Sequence, residues 1–338
     1  MCAEVWVMKI AVIGATGLVG SVMCTELGRL LDSEFELLLA ASSRSVGRKI
    51  VFRGREHVVQ SIAAVLAASP DIALFAAGSA VSLEYAEQFA QKGTYVIDNS
   101  SAWRMHPNVP LVVPEINAET LRPECHIIAN PNCSTIQLVM ALARLLPYGL
   151  KRIHVSTYQS VSGSGMKGIE QLQAEREGRE PDKRAYSHPI DLNCIPHCDD
   201  FLENGYTKEE LKLINEPRKI FNLPQLAISA TAVRVPVWGG HSEAISAEFE
   251  QRITPSEARE LIATMSGVTV VDVPAENRYP MARDAQGSDQ VFVGRIRQDL
   301  AIGEHALNMW VVADNIRKGA ATNAVQIAKA LFAKRICQ

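Results

Sequence analysis

Residues 8–20, Met-Lys-Ile-Ala-Val-Ile-Gly-Ala-Thr-Gly-Leu-Val-Gly, narrow the possible folds more than any other stretch of the chain. A short apolar run rich in β-branched residues stops at Gly14, and apolar side chains then recur at helical spacing from Leu18 to Leu31. Strand, tight turn and helix in that order open a βαβ unit. Further strand-like runs at Phe35–Ala40, Ile72–Ala76, Tyr95–Asp98 and Ile127–Ala129 alternate with helix-like stretches such as Ser82–Lys92. This alternation predicts an α/β, Rossmann-type doubly wound parallel sheet.

After about residue 151 the strand candidates lengthen, at Arg152–Val161, Ala227–Pro236, Ala244–Phe249 and Ala306–Ala313. They predict an α+β domain on a largely antiparallel sheet. A polar stretch from Glu175 to Asn204, rich in charge, Pro and His, reads as an excursion from that sheet. The last segment, Gly319 to Ala333, is an amphipathic helix. The expected division is 1–132 with 317–338 for the first domain and 133–316 for the second. A total of 338 residues suits two domains of common size.

The formal charge is −3 with both signs dispersed, which excludes an extended basic footprint for nucleic acid or anionic lipid. Apolar runs fall far short of the roughly 20 residues of a bilayer span, and no leader pattern opens the chain, so a cytoplasmic protein is expected. Cys2, Cys24, Cys125, Cys133, Cys194, Cys198 and Cys337 are odd in number and scattered, which predicts reduced thiols. Cys194, His197 and Cys198 lack a second ligand pair at zinc spacing, and no metal site is assigned.

The turn Gly14, Ala15, Thr16, Gly17, Leu18, Val19 and Gly20 lies where a buried strand gives way to a helix, so backbone N–H groups and the positive helix end can face a pyrophosphate. At the end of the second strand an acid would favour a ribose diol. Here Ser42, Arg44 and Ser45 stand instead, hydroxyls beside a guanidinium, which favours the 2′-phosphate of NADP(H) over NAD. Gly163-Ser-Gly165-Met-Lys-Gly168 matches the dinucleotide pattern more literally, but it lies in the α+β half and reads as a flexible loop bordering the site.

Asn130-Pro-Asn132-Cys133-Ser-Thr lies between a strand end and an apolar-periodic helix. Cys133 is thus placed at a helix N-terminus, where the partial positive charge favours thiolate, the reactive form. His241 in Gly239-Gly-His-Ser-Glu is the best-placed imidazole, Gln159 is a candidate amide near a strand end, and Arg104, Arg234 and Lys219 are candidate anion binders.

The segments GATGLVG, SSRS, NSSAWR, VPEIN, NPNCST, TYQSVSGSG, NEPRK, RVPV, GGHSE and VGRIRQD occur here in one order from end to end. In that order the chain resembles the aspartate-β-semialdehyde dehydrogenase family. The resemblance implies Cys133 as nucleophile, His241 as acid/base, and Gln159 positioning the acyl group or a water. It implies Arg234 for the substrate α-carboxylate and Glu216 for its α-ammonium. Arg104 and Lys219 would bind phosphate, with Asn132 and Ser100 shaping that pocket. The implied reaction is NADPH-dependent conversion of L-4-aspartyl phosphate to the semialdehyde and phosphate through a Cys133 thioester. It serves lysine, threonine, methionine and diaminopimelate synthesis. The implied assembly is a homodimer through the α+β sheets, with a tetramer as the alternative.

Pro217, between Glu216 and Lys219, departs from the family pattern and is expected to bend the segment that carries Lys219. The seven residues before Met8 read as an extension without assigned function. N-acetyl-γ-glutamyl-phosphate reductase is the nearest alternative, yet the Asn132-Cys133-Ser134 context and the charge of Glu216 oppose it. Glyceraldehyde-phosphate dehydrogenase shares the thioester logic, but the SSRS turn suits NAD poorly. A silent paralogue acting as a binding protein would not need the cysteine and histidine kept here.

Overall fold

The protein is described by a computed structural model that covers residues 7–31 and 34–336; residues 1–6, with Cys2 and most of the N-terminal extension, and Cys337 lie outside the described residues. The chain forms two compact units, one that ends at Pro131 and resumes at Ala320, the other Asn132–Gly319.

In the first unit the strands are β1 (Lys9–Ile13), β2 (Glu36–Ala40), β3 (Lys49–Phe52), β4 (Arg55–Gln60), β5 (Ile72–Phe75), β6 (Tyr95–Asp98) and β7 (Ile127–Ala129). Their order is β3-β4-β2-β1-β5-β6-β7, and every pair is parallel except β3 with β4. The predicted doubly wound sheet is therefore present. Its central strands are apolar on both faces because helices cover both; Ile10, Val12, Leu39 and Leu74 are buried on one face and Ala11, Ile13 and Phe75 on the other. The helix Thr322–Ile336 supplies Val325, Ile327 and Ala328 to the same core as Met23 and Leu27 of the helix Leu18–Leu30. Strand order reverses between β1 and β5, which sets the ligand crevice of such a sheet at their carboxyl ends.

The β3–β4 hairpin escaped the sequence reading. Its turn is Arg53-Gly54, both at positive φ, and an arginine in the left-handed region carries no ordinary turn signal.

In the second unit β8 (Leu150–Gln159), β9 (Ala227–Arg234), β10 (His241–Phe249), β11 (Val268–Val270), β12 (Val291–Asp299) and β13 (Gly303–Ala313) form a six-stranded sheet in the order β11-β12-β13-β10-β8-β9. The three inner pairs are antiparallel and the two edge pairs parallel, which agrees with the expected largely antiparallel sheet. The polar excursion is pinned by side-chain oxygens. Glu175 accepts from the N–H groups of Ile190 and Asp191, and Gln171 from those of Ala185 and Tyr186.

Pro217 does not end or break its helix, which runs Lys208–Ile220. The following turn re-forms at once, since the Phe221 N–H donates to the Pro217 carbonyl at 2.9 Å. Lys219 therefore stays on the helix, one turn from Glu216.

Candidate active site

Cys133 begins the helix Cys133–Leu142. Asn132 caps it, its Oδ1 accepting from the N–H groups of Ser134 (3.0 Å) and Thr135 (3.2 Å). Ser134 to Leu142 are all buried, whereas Cys133 is only partly so. Gly319 leaves the space beside it, since a Cβ there would stand 2.9 Å from the Cys133 Cβ. Burial pushes the thiols of Cys24 and Cys198 up to about 11, which keeps them protonated and inert. Cys133 has a different setting, partly exposed at a helix start.

Three strands end together near it in the hydrogen-bond network. Gln159 and Arg234 are register partners at the ends of β8 and β9, and His241 opens β10 one residue before Ser242, the partner of Tyr158. Arg234 Nη1 donates to the Ser160 carbonyl at 2.7 Å. Its Nε is buried without a hydrogen-bond partner. A Cβ on Gly163 would lie 2.6 Å from that Nη1 and 3.1 Å from His241 Nε2, so only glycine lets this turn lie against both groups. The second glycine motif thus borders the site, as a 3₁₀ turn (Val161–Ser164) leading into the helix Met166–Arg176.

The His241 tautomer follows from its partners. Ser160 N–H can only donate, and it points at Nδ1 from 3.1 Å, so Nδ1 accepts and the proton sits on Nε2. Nε2 itself is buried with no partner. Burial, then the nearby Arg234 charge, lowers the imidazole pKa to about 3 against the pull of Glu209. An unfolded histidine titrates near 6.5, so between about 6.5 and 3 the unfolded chain binds a proton that the folded one refuses. Folding stability should then fall as the pH drops below 6.5, by up to about 1.4 kcal/mol per pH unit from this residue. Denaturant unfolding at pH 7 and pH 5 should show a smaller acid loss in His241→Gln than in the wild type. Equal losses would mean that His241 accepts a proton in the fold.

Behind Cys133 lies the helix Lys208–Ile220. Glu209, Leu213, Glu216 and Ile220 recur on its buried side. Glu216 Oε2 accepts from the Asn132 backbone N–H at 2.7 Å. Glu209 Oε1 accepts from Asn132 Nδ2 (3.0 Å) and Gln159 Nε2 (3.1 Å), and Oε2 from Lys212 Nζ (3.0 Å). Burial alone would push the Glu209 carboxyl up, but the Lys212 ammonium and these donors hold it at about 2. Lys219 is half-buried, and desolvation lowers its pKa against the pull of Glu216.

In the first unit Gly14 has φ +93° and would drive a Cβ to 2.7 Å from the Ala76 carbonyl oxygen, while a Cβ on Gly20 would stand 2.2 Å from that of Gly14. Only glycine builds this turn. Gly17 caps the Leu18–Leu30 helix with no side chain over its free N–H groups, and Thr16 donates to Ser45 Oγ at 3.3 Å. The SSRS segment is a 3₁₀ turn on which Ser42 and Arg44 are exposed. At the carboxyl end of β6, Ser100 Oγ donates to Asp98 Oδ2 at 2.6 Å. Arg104 is buried, bound to the carbonyls of Asn130 (3.0 Å) and Asn99 (2.7 Å).

Family models cover most of the chain. "Semialdehyde dehydrogenase, NAD binding domain" matches residues 9–123 and "Semialdehyde dehydrogenase, dimerisation domain" residues 142–318. An aspartate-semialdehyde dehydrogenase of Aquifex aeolicus is 51% identical over 332 residues, 96% of this chain and 97% of its own. The chain belongs to the aspartate-semialdehyde dehydrogenase family. A member from Bacillus subtilis is 45% identical, covering 96% of this chain and 97% of its own. The crystal structure of aspartate semialdehyde dehydrogenase II from Vibrio cholerae, complexed with ASA, superposes with a TM-score of 0.92 at 41% identity over 97% of this chain and 98% of that one. A member from Candida albicans, solved with NADP, gives 0.78 at 26% identity over 98% and 100%.

For an aspartate-semialdehyde dehydrogenase, the residues missed by sequence reading are the partners of the predicted ones: Glu209, Ser160 and Asn315. Asn315 Oδ1 accepts from the Ser160 hydroxyl at 3.0 Å and from Gly240 N–H at 3.2 Å, which ties the His241 turn down. Glu209 follows Thr207, the cap of its helix, and an acid there reads as a dipole partner. Cys194 is exposed, Cys198 buried, and His197 stacks on Phe201, an arrangement of packing and surface in this family member.

Proposed function

We propose that the chain is an NADP(H)-dependent, phosphorylating aspartate-semialdehyde dehydrogenase that carries its substrate as a thioester on Cys133, in the supply of lysine, threonine, methionine and diaminopimelate. The observation that carries this reading is a partly exposed thiol at a helix start whose capping residue, Asn132, is joined to Gln159 through the Glu209 carboxylate, with His241 and Arg234 both bound to the adjacent Ser160.

In the reductive direction Cys133 Sγ forms a bond to the acyl phosphate carbonyl carbon, and the carbon–oxygen bond to phosphate breaks, leaving a thioester. The bound dinucleotide supplies the hydride that reduces this thioester. As negative charge grows on the carbonyl oxygen, the Nε2–H of His241 is the available donor, its proton fixed by Ser160. Collapse of the resulting alkoxide breaks the carbon–sulfur bond and returns the electron pair to Cys133. Arg234 is assigned to the α-carboxylate, Glu216 to the α-ammonium, and Lys219, Asn132, Arg104 and Ser100 to the phosphate.

The residues present fit a dinucleotide. The glycine turn excludes side chains where a pyrophosphate would approach, and the helix N-terminus behind it is uncovered. Arg44, beside Ser42 and Ser45, supports the choice of NADP. Arg44→Ala should raise KM for NADP⁺ about tenfold or more, the loss of a charge-assisted hydrogen bond, with little effect on NAD⁺. Steady-state assays with L-aspartate-β-semialdehyde, phosphate and either nucleotide decide it. Equal change with both nucleotides would remove Arg44 from the 2′-phosphate site, and turnover only with N-acetyl-glutamate semialdehyde would reassign the substrate.

A homodimer is the proposed assembly. The sheet of the second unit bears an apolar groove lined by Tyr158, Val237, Tyr279, Met281 and Trp310, of which Tyr158, Tyr279 and Met281 are exposed, and a second copy would cover it.

A further inference from the structure

We propose that Glu209 is a positioning residue of the reaction, holding the side chains of Asn132 and Gln159 in the single orientation that the thioester chemistry uses. This rests on the reading of Cys133 and Gln159 given above. One carboxylate oxygen of Glu209 accepts from both amides, at 3.0 and 3.1 Å, and the other from Lys212, which also donates to Asp199 Oδ2 at 2.7 Å. An ionised carboxylate has no hydrogen to give, so it faces only the NH₂ ends of the two amides.

The consequences run in two directions. Asn132 must turn its Oδ1 toward the N–H groups of Ser134 and Thr135, which sets the turn that presents Cys133. Gln159 must turn its Oε1 toward Thr157, whose hydroxyl donates to it at 3.0 Å. That leaves the second Nε2 hydrogen of Gln159 as its defined free donor. Without Glu209 each amide can rotate by half a turn and exchange donor for acceptor. A buried ion pair adds little stability beyond an apolar replacement, so stability alone is a weak account of a carboxylate with its side chain 10% exposed at this place.

The test is a double-mutant cycle in the full chain, with kcat and KM measured for Glu209→Leu, Gln159→Ala and the pair. Leucine is apolar and of similar size, and Lys212 keeps Asp199. Glu209→Leu should lower kcat about tenfold or more with KM for NADP⁺ unchanged within about twofold. Its loss should shrink in the Gln159→Ala background, because the two act through one contact. Glu209→Gln, which keeps an oxygen for both amides, should recover part of the activity. Should the leucine variant not fold, Glu209→Met takes its place in the cycle. Additive losses, or a Glu209 variant within about twofold of wild type while Gln159→Ala is impaired, overturn this proposal alone. Full turnover in Gln159→Ala overturns the assignment of Gln159 and this proposal with it.

Discussion

Cys133→Ser should lower kcat/KM by about three orders of magnitude or more while leaving the fold and the melting temperature nearly unchanged. A hydroxyl at neutral pH is a poor nucleophile, and a single oxygen for sulfur exchange removes the group on which covalent catalysis depends. Cys133 is partly exposed at the start of a capped helix, and its side chain is not part of the buried face that begins at Ser134. Its packing loss should therefore be small. Steady-state kinetics and thermal unfolding on the same preparations separate the effects. Substantial turnover in the serine variant would move the chemistry to another residue.

Arg234→Leu should raise KM for the semialdehyde and lower kcat/KM about a hundredfold, the range set by removing one partner of a buried charge pair. The guanidinium is buried and bound to the Ser160 carbonyl through Nη1, with Nε unpaired in the site. Arg234→Lys keeps the charge but not the planar fork that meets a carboxylate in two places, and should recover only part of the loss. A change in KM for phosphate with none for the aldehyde would reassign Arg234 to the other end of the substrate.

Sequence reading was sound where local rules decide structure. Gly14 and Gly20 announce a turn that no other residue can build, and the capping Asn132 marks where the Cys133 helix begins. Gln159, Arg234 and His241 each stand at a strand end, and alternation located most of those strands. Illegible were the contacts that close over long distances. Glu209 meets Gln159 across 50 positions and Asn132 across 77, and Ser160 meets His241 across 81. No pattern in a short window carries such a pairing. β12 was missed because a register shift between Gly294 and Arg297 interrupts its alternation. Pro217 is accommodated within its helix, since one absent N–H is tolerated where the buried face, Leu213 through Ile220, is held by packing.

The most direct test of a Cys133 thioester is a rapid-mixing experiment with the wild-type protein, L-aspartate-β-semialdehyde and NADP⁺ in the absence of phosphate. The expected result is a burst of about one NADPH per active site, with the acyl group on the Cys133 peptide by mass spectrometry and released when phosphate is added. Sustained turnover without phosphate, or a burst with no adduct on Cys133, would contradict it.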